Sequence, residues 1–301
     1  MVSNRGTILG LMRWQLRNIV IFTAAAAAVV TADELHGWLD LPRPFELPTL
    51  PVAVIGGAIG IFVSFRSNAG YDRWWEARKL WGKLVNTSRH WSSQVTAWVG
   101  DREIGDELVR RQIAYVHLLR AQLRGQVAAD DPDVTRWLTD EERALLPTWS
   151  NPNHALLQRQ LLRVTALADA GVLSELRLQS LDGTVDDLLD VQGGCERIRR
   201  TPIPRGYGFI GEQLIRMYAV LLPLAVVGSL SWLAIPVSAL ICLAFTLISE
   251  AGRVLEDPFT MFWNGLPLSA LSRTIERDLR SARGETELPP ALEPDEDGIL
   301  M

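Results

Sequence analysis

The chain alternates between apolar runs and densely charged stretches, and the lengths of these segments predict its layout. Ile19 to Ala32 is the first apolar run, with Ala24 to Ala28 at its centre. Crossing a hydrocarbon core takes about 20 apolar residues, so this run spans only if Leu16 or residues after Thr31 extend it. Arg13 and Arg17 precede it and Val30-Thr31-Ala32 closes it, a pattern that also fits a cleaved signal peptide. Leu47 to Phe65 is the second run. Pro48 and Pro51 fall at its start, where a helix tolerates proline. Gly56 and Gly60 form a small-xxx-small pair of the kind that lets helix backbones approach in lipid, with a buried core helix as the other reading. Met217 to Ile248 is almost uninterrupted. As one straight helix it would be roughly 48 Å long, at about 1.5 Å per residue, against a core of ~30 Å. Two antiparallel helices turning near Ser229-Leu230-Ser231 fit better, kinked at Pro223 and Pro236.

Between these runs the pattern changes to amphipathic helix. Trp74, Trp81, Leu84, Val85, Trp91 and Val95 recur at three- and four-residue steps with polar residues between them. Asp101 is placed to cap a second helix running to about Gly125. Asp130-Asp131-Pro132-Asp133 is a break, and Thr139-Asp140-Glu141-Glu142 opens a short helix to Leu145. Asn151 to Ala170 and Leu173 to Ile198 are two further amphipathic helices. No strand-like alternation stands out. The acidic, proline-containing tail from Glu285, including Glu287, Glu293, Asp295, Glu296 and Asp297, is expected to be disordered.

Charge then orients the spans. Arg5, Arg13 and Arg17 precede the first. The link to the second holds Asp33, Glu34, Asp40 and Glu46 against Arg43. Arg66, Arg73, Arg78, Lys79 and Lys83 follow the second span, and Arg253, Arg273, Arg277 and Arg280 follow the fourth. The positive-inside rule puts both termini and the long middle region in the cytoplasm. The expected architecture is all-α, with spans near 16–33, 47–65, 209–230 and 232–249. Residues 68–200 and 266–284 form cytosolic helices, and 285–301 forms the tail.

Composition narrows the function classes. The 301 residues are 48% hydrophobic and 22% charged, with a net charge of −5. An acidic chain is a poor partner for nucleic acid. Cys195 and Cys242 lie in unrelated contexts, so no disulfide framework is expected. The histidines His36, His90, His117 and His154 are too scattered for a local metal motif. No glycine-rich phosphate loop, metal-ligand cluster or nucleophile motif is present, so neither an enzyme nor a bound cofactor is expected. Cys195-Glu196 has no adjacent histidine base and is assigned no chemistry.

The stretch Ser64-Phe65-Arg66-Ser67-Asn68-Ala69-Gly70-Tyr71-Asp72-Arg73-Trp74-Trp75-Glu76-Ala77-Arg78-Lys79-Leu80-Trp81-Gly82 resembles the signature of bacterial bestrophins along its whole length. Three later blocks agree in order: Cys195-Glu196-Arg197-Ile198 leading to Thr201-Pro202-Ile203-Pro204, Glu256-Asp257-Pro258-Phe259, and Leu266-Pro267-Leu268 leading to Arg273 through Leu279. The resemblance covers roughly Asn18 to Arg280. It implies a homopentameric ion channel of the bacterial inner membrane, with four membrane helices per subunit and a helical cytosolic part. Its partners would be small inorganic ions, membrane lipid and copies of itself.

The resemblance further implies an apolar neck lined by the second span at four-residue steps. Counting back from Arg73-Trp74-Trp75 gives Phe65, Ile61 and Gly57, although Gly57 has no side chain to narrow a pore and a register through Ala58 and Phe62 stays open. Leu176 is the candidate for a second, cytosolic constriction, with a core leucine as the alternative. Arg66, Asp72 and Arg73 are candidate pore-mouth charges, or else structural ion-pairing groups. Trp74, Trp75 and Trp81 read as interfacial anchors or as packing. Family weight favours anions such as chloride. The acidic external loop would favour sodium if it faced the pore, and a non-conducting scaffold is the rival of another class. Animal relatives bind calcium through a run of aspartates that this chain lacks after Phe259, so no calcium activation through Glu256 and Asp257 is expected.

Overall fold

A computed structural model describes residues 13–39, 47–262, 264–295 and 300. Arg5, Asp40, Arg43, Glu46, Glu296 and Asp297 lie outside the described residues. The helices are α1 (Leu16–Trp38), α2 (Thr49–Trp98), α3 (Arg102–Arg124), α4 (Pro132–Thr135), α5 (Asp140–Leu145), α6 (Pro152–Asp169), α7 (Glu175–Arg200), α8 (Arg205–Leu230), α9 (Ala234–Leu255) and α10 (Leu268–Ala282). No strand occurs among the described residues, as the all-α reading required. The chain divides into two compact units. One lies within residues 4–73 and 202–256, the other within 74–201 and 257–301.

The first unit is apolar. Leu16–Trp38, the start of Thr49–Trp98, and Gly206–Leu255 are long and apolar enough to cross a membrane. The first run is extended at both ends into a helix of 23 residues. Phe22, Ala26 and Val30 recur every four residues on its buried stripe, and α1 packs against both α8 and α9. Phe22 and Val30 are thereby part of this unit's apolar core. The long third run folds back on itself at a short 3-10 turn, Ser231–Leu233, two residues later than the sequence suggests. Ser231 passes through φ 47°, in the left-handed region that a non-glycine residue rarely adopts. Ser231 Oγ donates to Glu34 Oε1 at 3.1 Å, and Val30, Val227 and Ala234 cluster together. The end of α1 and the α8–α9 turn thus share one end of the unit.

Small residues set how closely these helices meet, but not at the pair the sequence singles out. Gly56 and Gly60 face an aromatic pair: a Cβ on Gly56 would sit 2.4 Å from the Tyr218 hydroxyl oxygen, and one on Gly60 3.4 Å from the Phe245 ring. Tyr218 and Phe245 meet edge to face at 5.9 Å. The close backbone approach is instead at Gly252, where a Cβ would lie 2.7 Å from Ser67 Cα, and at Gly70, where one would lie 2.5 Å from the Gly252 carbonyl oxygen.

The second unit is built around α3, which α6, α7 and α10 pack against. Asp101 caps α3 by accepting from the Glu103 and Ile104 amides, and Gly125 ends it in the left-handed conformation. Thr139 and Glu142 form the reciprocal capping box expected of the short helix α5. The aspartate-rich break is not plain loop: Asp131 caps α4, with Pro132 in its first turn. Trp81, Trp91, Tyr115 and Leu119 are among the fully buried side chains. Several polar groups inside this core are paired, while others such as Trp81 Nε1 and Trp91 Nε1 are not. Gln112 Nε2 donates to Ser88 Oγ at 2.9 Å, Gln160 Nε2 to Gln112 Oε1 at 2.9 Å, and the Tyr115 hydroxyl to the Leu188 carbonyl at 3.0 Å.

An ionic seam joins α3 to α10. His117 Nε2 donates to Glu276 Oε2 at 3.0 Å, and Arg280 Nη1 lies 3.3 Å from Glu276 Oε1. Burial holds the His117 imidazole below its usual range despite that carboxylate. It is therefore neutral at pH 7, and its buried Nδ1 has no partner. For Glu276, burial alone would raise the pKa, but the His117 hydrogen bond and nearby arginines outweigh it and the net shift is downward. The acidic tail departs from the disordered reading at its start: Arg280 holds the Glu285 carboxylate at 2.7 Å and the Glu287 carbonyl at 2.9 Å, and Arg277 donates to the Pro289 carbonyl. Lysine or shorter side chains could not bridge these positions with the same fork of donors.

Replacing Gly252 by valine is expected to destabilise the purified protein by about 1–3 kcal/mol, because branched carbons would be forced against the α2 backbone. Gly57→Ala, where a Cβ meets nothing within 4 Å, is expected to leave the melting temperature unchanged or slightly higher; thermal unfolding in detergent measures both.

Candidate functional site

Each residue of an α-helix is rotated by ~100° from the last, so the buried and exposed stripes of α2 can be followed along the chain. Val52, Gly56, Ile59, Val63, Arg66 and Gly70 are buried. Leu50, Val54, Gly57, Ile61, Phe65, Asn68 and Asp72 are exposed and fall within one narrow sector of the opposite face. Ile61 is 62% and Phe65 67% exposed. The expected neck residues Gly57, Ile61 and Phe65 therefore share a face that is left exposed among the described residues.

The alternative register does not share that freedom. Phe62 stacks on Tyr207, with ring centroids 5.6 Å apart and planes 7° apart, and its ring also lies 3.3 Å from where a Cβ on Gly211 would be. Phe62 is packing between α2 and α8.

The exposed face of α2 differs in kind from the outer faces of α8 and α9. Those present Met217, Val220, Val237, Leu240, Ile241 and Ile248, the composition of a surface solvated by lipid tails. The α2 face mixes Ile61 and Phe65 with exposed Ala53, Gly57, Ala58 and Ser64. Small residues of this sort belong where helices or copies approach one another.

The three mouth charges separate. Arg66 is 5% exposed and turned into the unit. Its Nε donates to Glu256 Oε1 at 3.0 Å, its Nη1 donates to Ser249 Oγ at 3.0 Å, and Nη2 lies 3.0 Å from the same Glu256 oxygen. Gly208 leaves room for this guanidinium, since a Cβ there would come within 2.8 Å of Nη2. Arg73 donates to the Glu256 main-chain carbonyl. Both arginines are structural pins. Asp72 alone stays on the exposed face below Phe65.

The other expected residues are placed as follows. Leu176 stands in the first turn of α7 and is 79% exposed, so the core-leucine alternative does not hold. Trp81 is fully buried and Trp74 Nε1 donates to the Asn264 carbonyl at 3.0 Å. Both are packing groups, whereas Trp75 is 46% exposed. Glu256 is engaged by Arg66, and Asp257 by Arg199 at 3.0 Å. Among the described residues no group of histidine, cysteine, aspartate or glutamate side chains could hold a metal ion. The Cys195 thiol is buried, and burial with the nearby Glu196 charge pushes it up to about 12, too high to supply thiolate at neutral pH. Sequence reasoning missed Glu256 and Ser249 as the partners of Arg66. The signal was available: an arginine at the end of an apolar helix needs a buried partner at the same depth.

The sequence profile of the family described as Bacterial/Fungal Bestrophin protein matches residues 3–281. The chain belongs to the bacterial and fungal bestrophin family. It is 36% identical over 245 residues to the Voltage-dependent anion channel-forming protein YneE of Escherichia coli K12, covering 81% of this chain and 80% of that one. It is 33% identical over 263 residues to the Voltage-dependent anion channel-forming protein mll4386 of Mesorhizobium japonicum, covering 86% and 84%. The crystal structure of a bacterial bestrophin homologue from Klebsiella pneumoniae superposes with a TM-score of 0.84 at 29% identity, covering 90% of this chain and 99% of that one. With its apolar helices, the chain is a membrane protein of the bestrophin fold.

Neutralising Arg66 strands a Glu256 carboxylate that is only 24% exposed. Arg66→Gln is expected to cost about 3 kcal/mol or more, while Asp72→Asn leaves stability within about 0.5 kcal/mol. Thermal melts of the two variants compare a pin with a free surface charge.

Proposed function

We propose that this protein is a passive ion channel of the bacterial inner membrane. It is formed by five copies around a common axis, with four membrane crossings per subunit and both termini in the cytoplasm. The observation that carries the reading is the uncovered α2 face, Gly57, Ile61 and Phe65 at four-residue steps. Closed around an axis, Ile61 and Phe65 make two apolar rings that exclude water when narrow and pass ions when wide. Gly57 leaves the uppermost ring wide. Leu176, exposed at the start of α7, is the candidate for a second constriction on the cytosolic side.

The positions of the polar ends support the four-crossing topology. At about 1.5 Å per residue, Arg17 and Glu34 stand about 25 Å apart along α1, close to the thickness of a hydrocarbon core. The turn between α8 and α9 meets Glu34, while Arg66, where the apolar part of α2 gives out, meets Ser249 and Glu256 at the opposite end of α9.

Anions such as chloride are the proposed cargo, on the strength of relatives named as voltage-dependent anion channel-forming proteins. A sodium-conducting pore is the second reading, and one observation favours it: with Arg66 and Arg73 turned inward, the charge nearest Phe65 on the exposed stripe is Asp72, with Lys79 two turns further on. A ring of carboxylates about 10 Å below Phe65 concentrates cations at the mouth. Reversal potentials of the reconstituted protein under a sodium chloride gradient decide the sign. A potential near the chloride equilibrium value supports the proposal and one near the sodium value overturns it. Asp72→Asn is expected to move the potential toward chloride in either case.

A non-conducting scaffold is excluded by a different measurement. Ile61→Ala together with Phe65→Ala is expected to raise ion leak from liposomes several-fold over the parent protein. A scaffold would show no flux from either form.

A further inference from the structure

A cleft of about 280 Å³ opens in the apolar unit between the start of α1, the first half of α8 and the last turns of α9. Its rim carries Arg17, Glu212, Arg216 and Glu250, and its floor is Phe22 and Ile215. On α1, Phe22 lies deeper toward the middle of the helix than Arg17 by about 8 Å. Along α1 the cleft therefore grades from charged to apolar, while on α8 Ile215 and Arg216 stand at nearly one depth. Glu34 and Ser231 mark the far boundary of the same helices, so the rim stands at the level of lipid headgroups.

The rim charges do not fully satisfy one another. Arg216 meets Glu212 at 3.4 Å within α8, and both residues are nearly half exposed. Glu250 meets Arg253 at 2.6 Å. Arg17 makes no ion pair among the described residues. The exposed Arg216–Glu212 pair contributes little and exchanges readily, whereas Glu250 is only 20% exposed. Trp14, on the same wall, is a residue suited to the boundary between headgroups and tails.

We infer that this cleft seats one phospholipid of the cytoplasmic leaflet whose headgroup carries both a phosphate and a primary ammonium, phosphatidylethanolamine. Arg17 and Arg216 are the cations for the phosphate. Glu212 and Glu250 accept hydrogen bonds from the ammonium. Phe22 and Ile215 meet the glycerol and the first acyl carbons. A choline headgroup has no N–H to offer the two carboxylates, and a glycerol headgroup has no positive charge. This assignment needs a membrane protein, and its leaflet rests on the orientation proposed above, but it does not depend on which ion is carried, or on conduction at all.

The test uses the purified, delipidated full-length protein in detergent, titrated with phosphatidylethanolamine, phosphatidylcholine and phosphatidylglycerol of identical chains. Native mass spectrometry counts bound lipids and thermal melting reads their effect. Phosphatidylethanolamine is expected to bind about tenfold more tightly than phosphatidylcholine, the value of one charge-assisted hydrogen bond. Glu250→Gln is expected to erase that preference, and Arg17→Gln to weaken all three lipids. Equal binding of the ethanolamine and choline lipids by the parent protein overturns the inference. So does a preference for phosphatidylglycerol, or equally tight binding of soluble glycerophosphoethanolamine, which would make the ligand a free headgroup and not a lipid. The parent-protein series decides the matter even if a variant fails to fold.

Discussion

The rotation of α2 about its own axis depends on where Arg66 goes. A guanidinium at the edge of a hydrocarbon core is costly unless it is paired and hydrogen-bonded. Here it turns inward, to Glu256 and Ser249 on α9, through space left by Gly208. Phe65 precedes it in sequence and Ile61 lies more than a turn before. With ~100° between successive residues, placing Arg66 inside puts Ile61 and Phe65 outside. Gly70 and Gly252 then hold the two backbones close enough for the contact to be made. The apolar stripe is thus aimed by a charged residue that never touches its surface.

The same constraint sorts the charges along the helix. Arg66 and Arg73 are spent on packing, and Asp72 remains on the face with Phe65. A count of residues near the signature would have made that region basic. Once the arginines are placed, the charge nearest Phe65 on the exposed face is the Asp72 carboxylate. The ends of the other apolar helices show a comparable division. Glu34 is tied to the α8–α9 turn at one boundary, and Arg17, Glu212, Arg216 and Glu250 line a cleft at the other.

The second unit follows ordinary rules of a water-exposed helical body. Its helix ends are capped by Asp101, Thr139 and Asn151, and its core is closed by Trp81, Trp91 and Tyr115. Its buried charges occur in company: Arg111 with Glu107 and Glu142, and Glu276 with His117 and Arg280.

The helices themselves were legible because their causes are local. Hydrophobic period, proline position and capping residues such as Asp101 and Thr139 act within a few residues of the structure they produce, and helix ends came within one or two residues at α3, α5 and α6. That Gly57, Ile61 and Phe65 share one face was legible too, because a four-residue step is a property of one helix. Partners distant in sequence were not. That Phe62 stacks on Tyr207, that Gly56 receives Tyr218, and that Arg66 is clamped by Glu256 depend on helices far apart in the chain meeting at one depth. The sequence alone determined which segments are helical and apolar. Only tertiary packing decided which side of α2 is left uncovered, because burying one arginine selects one rotation of the helix out of all those its pattern allows.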